Sequence, residues 1–304
     1  MRKTKFPLTL LLSLCVCSLA PFASANEQRV SIGDFLLSKS PAIAPSVRLN
    51  YALGGEVDFD SAPGGFSYQR FELNAPLMAP YHLNDCNALT LGLAYKATWF
   101  DSDTLLNDMD LHDLRLNLSW MYRQPGSKWS WITVLEPGLA TDGESVDMDD
   151  FSINGQVGVR YAKSPRFAWN AGFVFFHNNL ETRVYPGVGF QWRPSDDVHL
   201  RLAGPNFRAS WQPHEDWILH ADVRPSGGTW NVRENGSDFN LRMRSFQAGI
   251  GVERRLSDKF WLGLWSGFTF ANDVKIETAS GKRLLREDAD MGWFVRLGIR
   301  RAIW

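Results

Sequence analysis

Leu114-Arg115-Leu116-Asn117-Leu118-Ser119-Trp120-Met121-Tyr122 is the stretch that decides how this chain folds. Leu114, Leu116, Leu118, Trp120 and Tyr122 alternate with Arg115, Asn117 and Ser119. Successive side chains of a strand point to opposite faces, so a period of two describes a strand with one apolar and one polar face. The pattern recurs at 89–99, where Leu89, Leu91, Leu93, Tyr95 and Trp99 alternate with Thr90, Gly92, Lys96 and Thr98. It recurs at 151–161, with Phe151, Ile153, Val157, Val159 and Tyr161, and at 198–202, with Val198, Leu200 and Leu202. Helical spacing fits none of these segments better. Counting this pattern along the chain predicts about 14 strands. They start near Val47, Ser67, Ala88, Leu114, Trp129, Phe151, Phe167, Val184, Val198, Phe207, Trp217, Leu241, Phe260 and Gly292. No linker interrupts them, so the reading is all-β and a single domain.

The connections carry a second signal. Gln124–Lys128, Lys163–Arg166, Pro194–Asp197, Pro213–Asp216 and Leu256–Lys259 are short and have tight-turn chemistry. The intervening connections 54–65, 101–110, 141–150, 225–238 and 271–290 read as longer, and 203–206 has to serve as a short one among them. Short turns at one end and long loops at the other are the habit of outer-membrane barrels. Alternation alone also fits a soluble sandwich, with the faces exchanged. Aromatics at strand ends decide for the membrane: Trp99, Trp120, Trp129, Trp169, Trp192, Trp211 and Trp217 suit interfacial girdles. The expected architecture is a single antiparallel transmembrane β-barrel of about 14 strands, with 12 as the alternative count.

The composition agrees. The 304 residues include 20 Phe, 13 Trp and 7 Tyr, far too many for a disordered chain. A net charge of −1 argues against a nucleic-acid partner. Three cysteines are too few for a disulfide scaffold. Arg2, Lys3 and Lys5, the apolar run Phe6–Leu19 and Ala23-Ser24-Ala25 form a secretory signal peptide, 1–25, with cleavage expected between Ala25 and Asn26. Its removal takes three basic residues and two of the cysteines, leaving Cys86 alone. Residues 26–44 precede the barrel, which is expected over 45–304 in the bacterial outer membrane. The last strand ends on Trp304. An aromatic there resembles the carboxy-terminal signal read by the barrel assembly machinery, although Trp304 falls on the parity of Arg296 and Arg300 rather than of Trp293, Val295, Leu297 and Ile299. The other expected partners are outer-membrane lipid and lipopolysaccharide.

Residues 184–270 add a more particular likeness. Gly187-Val188-Gly189-Phe190, Leu200-Arg201-Leu202-Ala203-Gly204-Pro205, Ala248-Gly249-Ile250-Gly251-Val252 and Phe260-Trp261-Leu262-Gly263-Leu264 occur in an order that resembles an uncharacterised family of bacterial outer-membrane barrels, described only as a domain of unknown function. The resemblance implies a fold and a compartment, and no catalytic residues.

If the polar faces line a lumen, that lumen is basic. Arg115, Arg160, Arg193, Arg201, Arg208, Arg224 and Arg296 are the lining candidates, joined on the same parity by Arg48, Lys96 and Arg300. Opposing acids are few, mainly Glu136 and Asp222. The acids concentrate instead in 101–110 and 141–150, which contain no Lys or Arg. Rings of arginine favour anions, so a porin-like passive channel for small, anionic solutes is the leading expectation. A closed barrel with a structural or surface-interaction role is the alternative. A lipid-modifying enzyme is the third reading, with His177 and His220 as its only candidate bases and no serine in a nucleophile motif beside them. No cofactor motif or metal-ligand set is evident. For Trp261 and Trp265 the readings are stacking on a sugar or another apolar ligand, and, favoured over it, packing against a plug or an inverted parity at that strand.

Overall fold

The computed structural model describes residues 45–303, apart from 145, 179 and 180. The signal-peptide, 26–44 and Trp304 readings lie outside the described residues. The strands are β1 (Ser46–Asp58), β2 (Gly65–Pro76), β3 (Tyr81–Asn84), β4 (Asn87–Ser102), β5 (Met109–Tyr122), β6 (Trp129–Thr141), β7 (Phe151–Ser164) and β8 (Phe167–His177). They continue as β9 (Thr182–Trp192), β10 (Val198–Ala203), β11 (Asn206–His214), β12 (Trp217–Glu234), β13 (Ser237–Arg255), β14 (Phe260–Thr278), β15 (Arg283–Ala289) and β16 (Gly292–Ala302). Around the ring each strand pairs antiparallel with the next, β2 with β4 and β14 with β16 included, and β16 closes on β1 from Ser46↔Ala302 to Gly54↔Phe294. Two short strands stand off the ring: β3 folds back on β4, and β15 pairs with the upper part of β14 and bridges at Ala289 to Phe59. The result is a closed 14-strand antiparallel barrel.

The period of two sorts the faces as a membrane barrel requires. Leu114, Leu116 and Leu118 are about 42% exposed on the outside, while Arg296 and Arg300 are 3% and 4% exposed inside. A polypeptide that turns leucine outward and arginine inward is stable only where the surroundings are apolar. An aromatic girdle runs along part of the short-turn end. Trp129, Tyr161, Trp169 and Phe190 are successive cross-strand partners on four neighbouring strands.

The long-loop expectation fails at 225–238 and 271–290. Both stretches are strand. β12 and β13 run 18 and 19 residues and meet at Asn235-Gly236, whose φ values of 52° and 77° make the left-handed two-residue turn that suits a hairpin. A tilted strand needs only about 9–11 residues to cross a bilayer. The excess does not stand upright. A fold line crosses three strands: Gly227 has φ 106°, the β13–β14 register shifts beside Ser245, and Ala271 has φ 50°. Only glycine serves at 227, because a Cβ there would lie 2.2 Å from the Met243 carbonyl oxygen. Above this line the β12–β13 flap leans over the bore, and Asn231 bridges to Thr141 of β6.

The flap buries Trp230, Val232, Leu241 and Met243 against Tyr68, Phe100 and Leu111 of the opposite wall. Polar contacts pin it. The Arg70 guanidinium donates to Ser226 Oγ at 2.8 Å, and Lys96 Nζ donates to the Gly227 carbonyl at 3.0 Å. Lys96 also lies 5.3 Å from the Trp230 ring centroid. The acidic connection 142–150 contributes as well, since the Arg233 N–H donates to Asp142 Oδ2 at 2.5 Å. A short 3-10 turn at Met148–Asp150 is capped by Asp147, and burial pushes the Asp150 carboxyl above the ordinary aspartate range.

Candidate functional site

The short-turn half of the bore has an arginine-lined cavity of about 450 Å³ against β1, β14 and β16. Its walls include Arg48, Arg201, Arg208, Arg224, Arg296 and Arg300, with Glu72 and Glu253. A second cavity of about 1880 Å³ occupies the bore beneath and beside the flap. Arg201, Arg208 and Arg224 line both.

The strand registers place like charges face to face. Arg201 of β10 is paired directly with Arg208 of β11, and Arg48 of β1 with Arg300 of β16. Like charges opposite one another weaken a sheet by some tenths of a kcal/mol to about 1 kcal/mol per pair. Part of the cost is offset by carboxylates. Arg208 meets Asp222 at 2.8 Å, and the same carboxylate lies 3.6 Å from Arg296. Arg300 meets Glu253 at 2.6 Å, and Arg224 lies 3.7 Å from Glu72. Arg48 has a hydroxyl partner, Ser46 Oγ at 2.9 Å. Arg201 has neither an ion pair nor a side-chain hydrogen bond among the described residues, and Arg296 Nε is buried without a hydrogen-bond partner. The cavity therefore keeps guanidinium donors in reserve, and an anion would complete them.

Tryptophans hold two of these arginines in place. Trp261 and Trp265 face inward, 1% and 7% exposed, while Leu262 and Leu264 face out. The Arg300 guanidinium lies 4.9 Å from the Trp261 centroid and Arg296 lies 4.7 Å from that of Trp265. Stacking of this kind fixes the planar cation without consuming its N–H donors. Both tryptophans thus pack inside the wall and carry cations.

Of the arginines expected in the lumen, Arg201, Arg208, Arg224 and Arg296 come together at the small cavity. Arg115 and Arg160 line only the large one, and Arg115 is neutralised by Asp113 at 2.8 Å. Arg193 lines neither; it sits at the short-turn rim, 3.7 Å from Asp196. The expectation of few inward acids needs correction: Glu72, Asp113 and Glu253 also face in and pair. Even so, inward carboxylates are outnumbered by inward cations, which include Arg48, Arg70, Lys96, Arg160, Arg201 and Arg300. Among the described residues, no group of three or more His, Cys, Asp and Glu is placed to hold a metal ion.

The histidines separate. His177 is exposed and bonds Thr182 Oγ1 at 2.7 Å. His220 has a partner that spacing did not reveal: Ser210 Oγ lies 2.9 Å from its Nδ1, and Glu253 lies 3.6 Å from its Nε2. Serine, imidazole and carboxylate are in a row, yet Ser210 is 3% exposed and lines neither cavity. A nucleophile must reach its substrate, and this hydroxyl is shut into the wall.

A family model described as "Domain of unknown function (DUF6268)" matches residues 83–301. This chain belongs to that family. The DUF6268 match runs from β3 to β16, so β1 and β2, which bring Arg48, Arg70 and Glu72, precede it. No curated protein matches this DUF6268 chain. Among solved structures, an outer-membrane channel from Pseudomonas putida F1 is similar at 11% identity, covering 92% of this chain and 100% of its own, with a TM-score of 0.47. A Pseudomonas aeruginosa FadL homologue has the same identity and TM-score, covering 85% and 90%. The KdgM porin in complex with disordered oligogalacturonate is 6% identical, covering 84% and 98%, with a TM-score of 0.36.

Proposed function

We propose that this chain is a channel of the bacterial outer membrane that passes small anionic solutes passively. The observation that carries the reading is the Arg201–Arg208 pair, set between two cavities with Arg201 lacking any counter-charge. A structural role alone would favour a carboxylate beside each arginine, because two guanidinium groups set opposite one another across a strand pair repel. Lipid and lipopolysaccharide surround the barrel in this reading, and the assembly machinery receives it through the last strand. Efflux from proteoliposomes tests it. Chloride and small carboxylates should leave faster than potassium or small amines. Arg201→Glu should erase or invert that preference. Equal efflux of both signs, unaltered by the variant, would remove the reading.

The flap favours a second reading, a barrel closed for structural or surface-interaction purposes. Its apolar cluster fills one side of the bore. Total absence of efflux in every variant that leaves the barrel folded would support that alternative.

A further inference from the structure

The barrel wall is incomplete on one side. β10 is 6 residues long, and β10 and β11 turn back at Ala203↔Asn206. β10 pairs with β9 only from Gly189 to Trp192, and a single further bond, Gly204 N–H to the Val188 carbonyl, ends the contact. The last pair between β11 and β12 is Phe207↔Val223. Above these points the facing edges of β9 and β12 have no strand between them among the described residues, because β12 leaves the wall there and crosses to β6. Six unpaired residues of β9 correspond to an opening roughly 20 Å along the strand. The large cavity reaches it, being lined by Pro186, Val188, Pro205, Phe207, Val223 and Pro225 on this side.

The edge chemistry is that of a gap the fold maintains. Val188 points its carbonyl toward β10, so Pro186, two residues earlier on the strand, presents its backbone to the same side, where it has no N–H to leave unsatisfied. Pro225 follows the last β11 pair on the opposite edge. A strut spans the far end: Glu181 meets Arg244 at 3.2 Å and Arg242 at 3.9 Å. Bare strand edges do not face hydrocarbon unless the opening is hydrated or occupied by polar groups.

We infer that this gap is a lateral port between the cavity and the lipid-facing surface, and that its ligand is a single-chain amphipathic anion, with the head group on Arg201 and Arg208 and the chain lying in the apolar rim. The inference rests on the anion-channel reading and names the solute class. Arg201 lies two residues below the hairpin end and faces inward beside Arg208. A carboxylate or sulfate there relieves the opposed cations, and the rim above carries no charge among its six side chains.

The test is photolabelling of the full-length protein in non-ionic micelles with a dodecanoate bearing a terminal diazirine. Adducts should concentrate at 184–188, 202–207 and 223–225. Arg201→Gln should reduce them about tenfold, the loss expected for a charge-assisted contact. Gly187→Trp should reduce them by blocking the port, since a Cβ at Gly187 meets nothing within 4 Å. Adducts spread evenly over lipid-facing positions such as Leu116 and Leu264, or indifferent to Arg201→Gln, would overturn the inference. Competition separates the sources: unlabelled dodecanoate should displace the probe if a free solute uses the port, and single-chain lysophosphatidylglycerol if a membrane lipid does. Chloride conductance, measured in parallel, keeps the two readings apart. Anion preference with scattered labelling overturns the port alone, whereas loss of anion preference overturns the channel reading.

Discussion

Truncating Trp230 should open the flap. The indole is 1% exposed and packs with Val232, Leu241 and Met243 against the far wall. Trp→Ala in a packed site costs about 3–5 kcal/mol. Loss of the Lys96 cation–π contact at 5.3 Å is part of that figure, at about 1 kcal/mol. The strands below the fold line keep their ladders, so the cost falls on docking of the flap. At 1.4 kcal/mol per tenfold, the docked state loses roughly a hundredfold to a few thousandfold in its equilibrium over the undocked one. Single-channel recording should report this as higher or noisier conductance in Trp230→Ala. Trp169→Ala is the control, since Trp169 is 53% exposed on the lipid side and touches no part of the flap cluster. Native-state hydrogen exchange should show faster exchange at 229–244 and little change in β7 and β8. Unchanged conductance together with unchanged exchange at 229–244 would refute the claim that this cluster holds the flap.

Removing one side of the inner charge ladder should be costly. Glu253→Gln leaves Arg300 facing Arg48 without its 2.6 Å partner, and breaking a buried pair costs about 3–5 kcal/mol, readable as a lowered urea midpoint for unfolding. On the outer face, Leu116→Arg should destabilise insertion by about 2–4 kcal/mol near the bilayer centre, while Asn117→Arg, one residue on and facing the lumen, should be tolerated; refolding yield into vesicles distinguishes them. Arg115→Glu should alter ion preference less than Arg201→Glu, because Asp113 already neutralises Arg115 at 2.8 Å; bilayer reversal potentials compare the two.

Much of the wall was legible in the sequence because burial on one face imposes a period of two. Leu114 to Tyr122 and Leu89 to Trp99 fall in β5 and β4 with the faces as read. The flap was not legible. Pro225-Ser226-Gly227-Gly228 has the chemistry of a loop, and it does bend the chain, but as a fold line within a strand whose true turn is Asn235-Gly236. In 271–290, Asp273, Lys275 and Glu277 alternate with Val274 and Ile276, and a rim hairpin with one charged face reads like a solvated loop. Arginines were visible as polar residues on strand faces. Asp222, the partner of Arg208, was visible on the same parity, but Glu72 was not, since Arg224 and Glu72 lie on strands far apart in sequence and meet across the bore. The wall gap is invisible to periodicity altogether. It follows from how few residues β10 has compared with β9 and β12.

The central claim is that the Arg201–Arg208 pair between the two cavities, with no carboxylate on Arg201, sets the preference for anions. The reversal potential of the wild-type channel under a potassium chloride gradient in a planar bilayer measures it directly. The account predicts a potential of the sign given by chloride permeating faster than potassium. A potential of the opposite sign would contradict it.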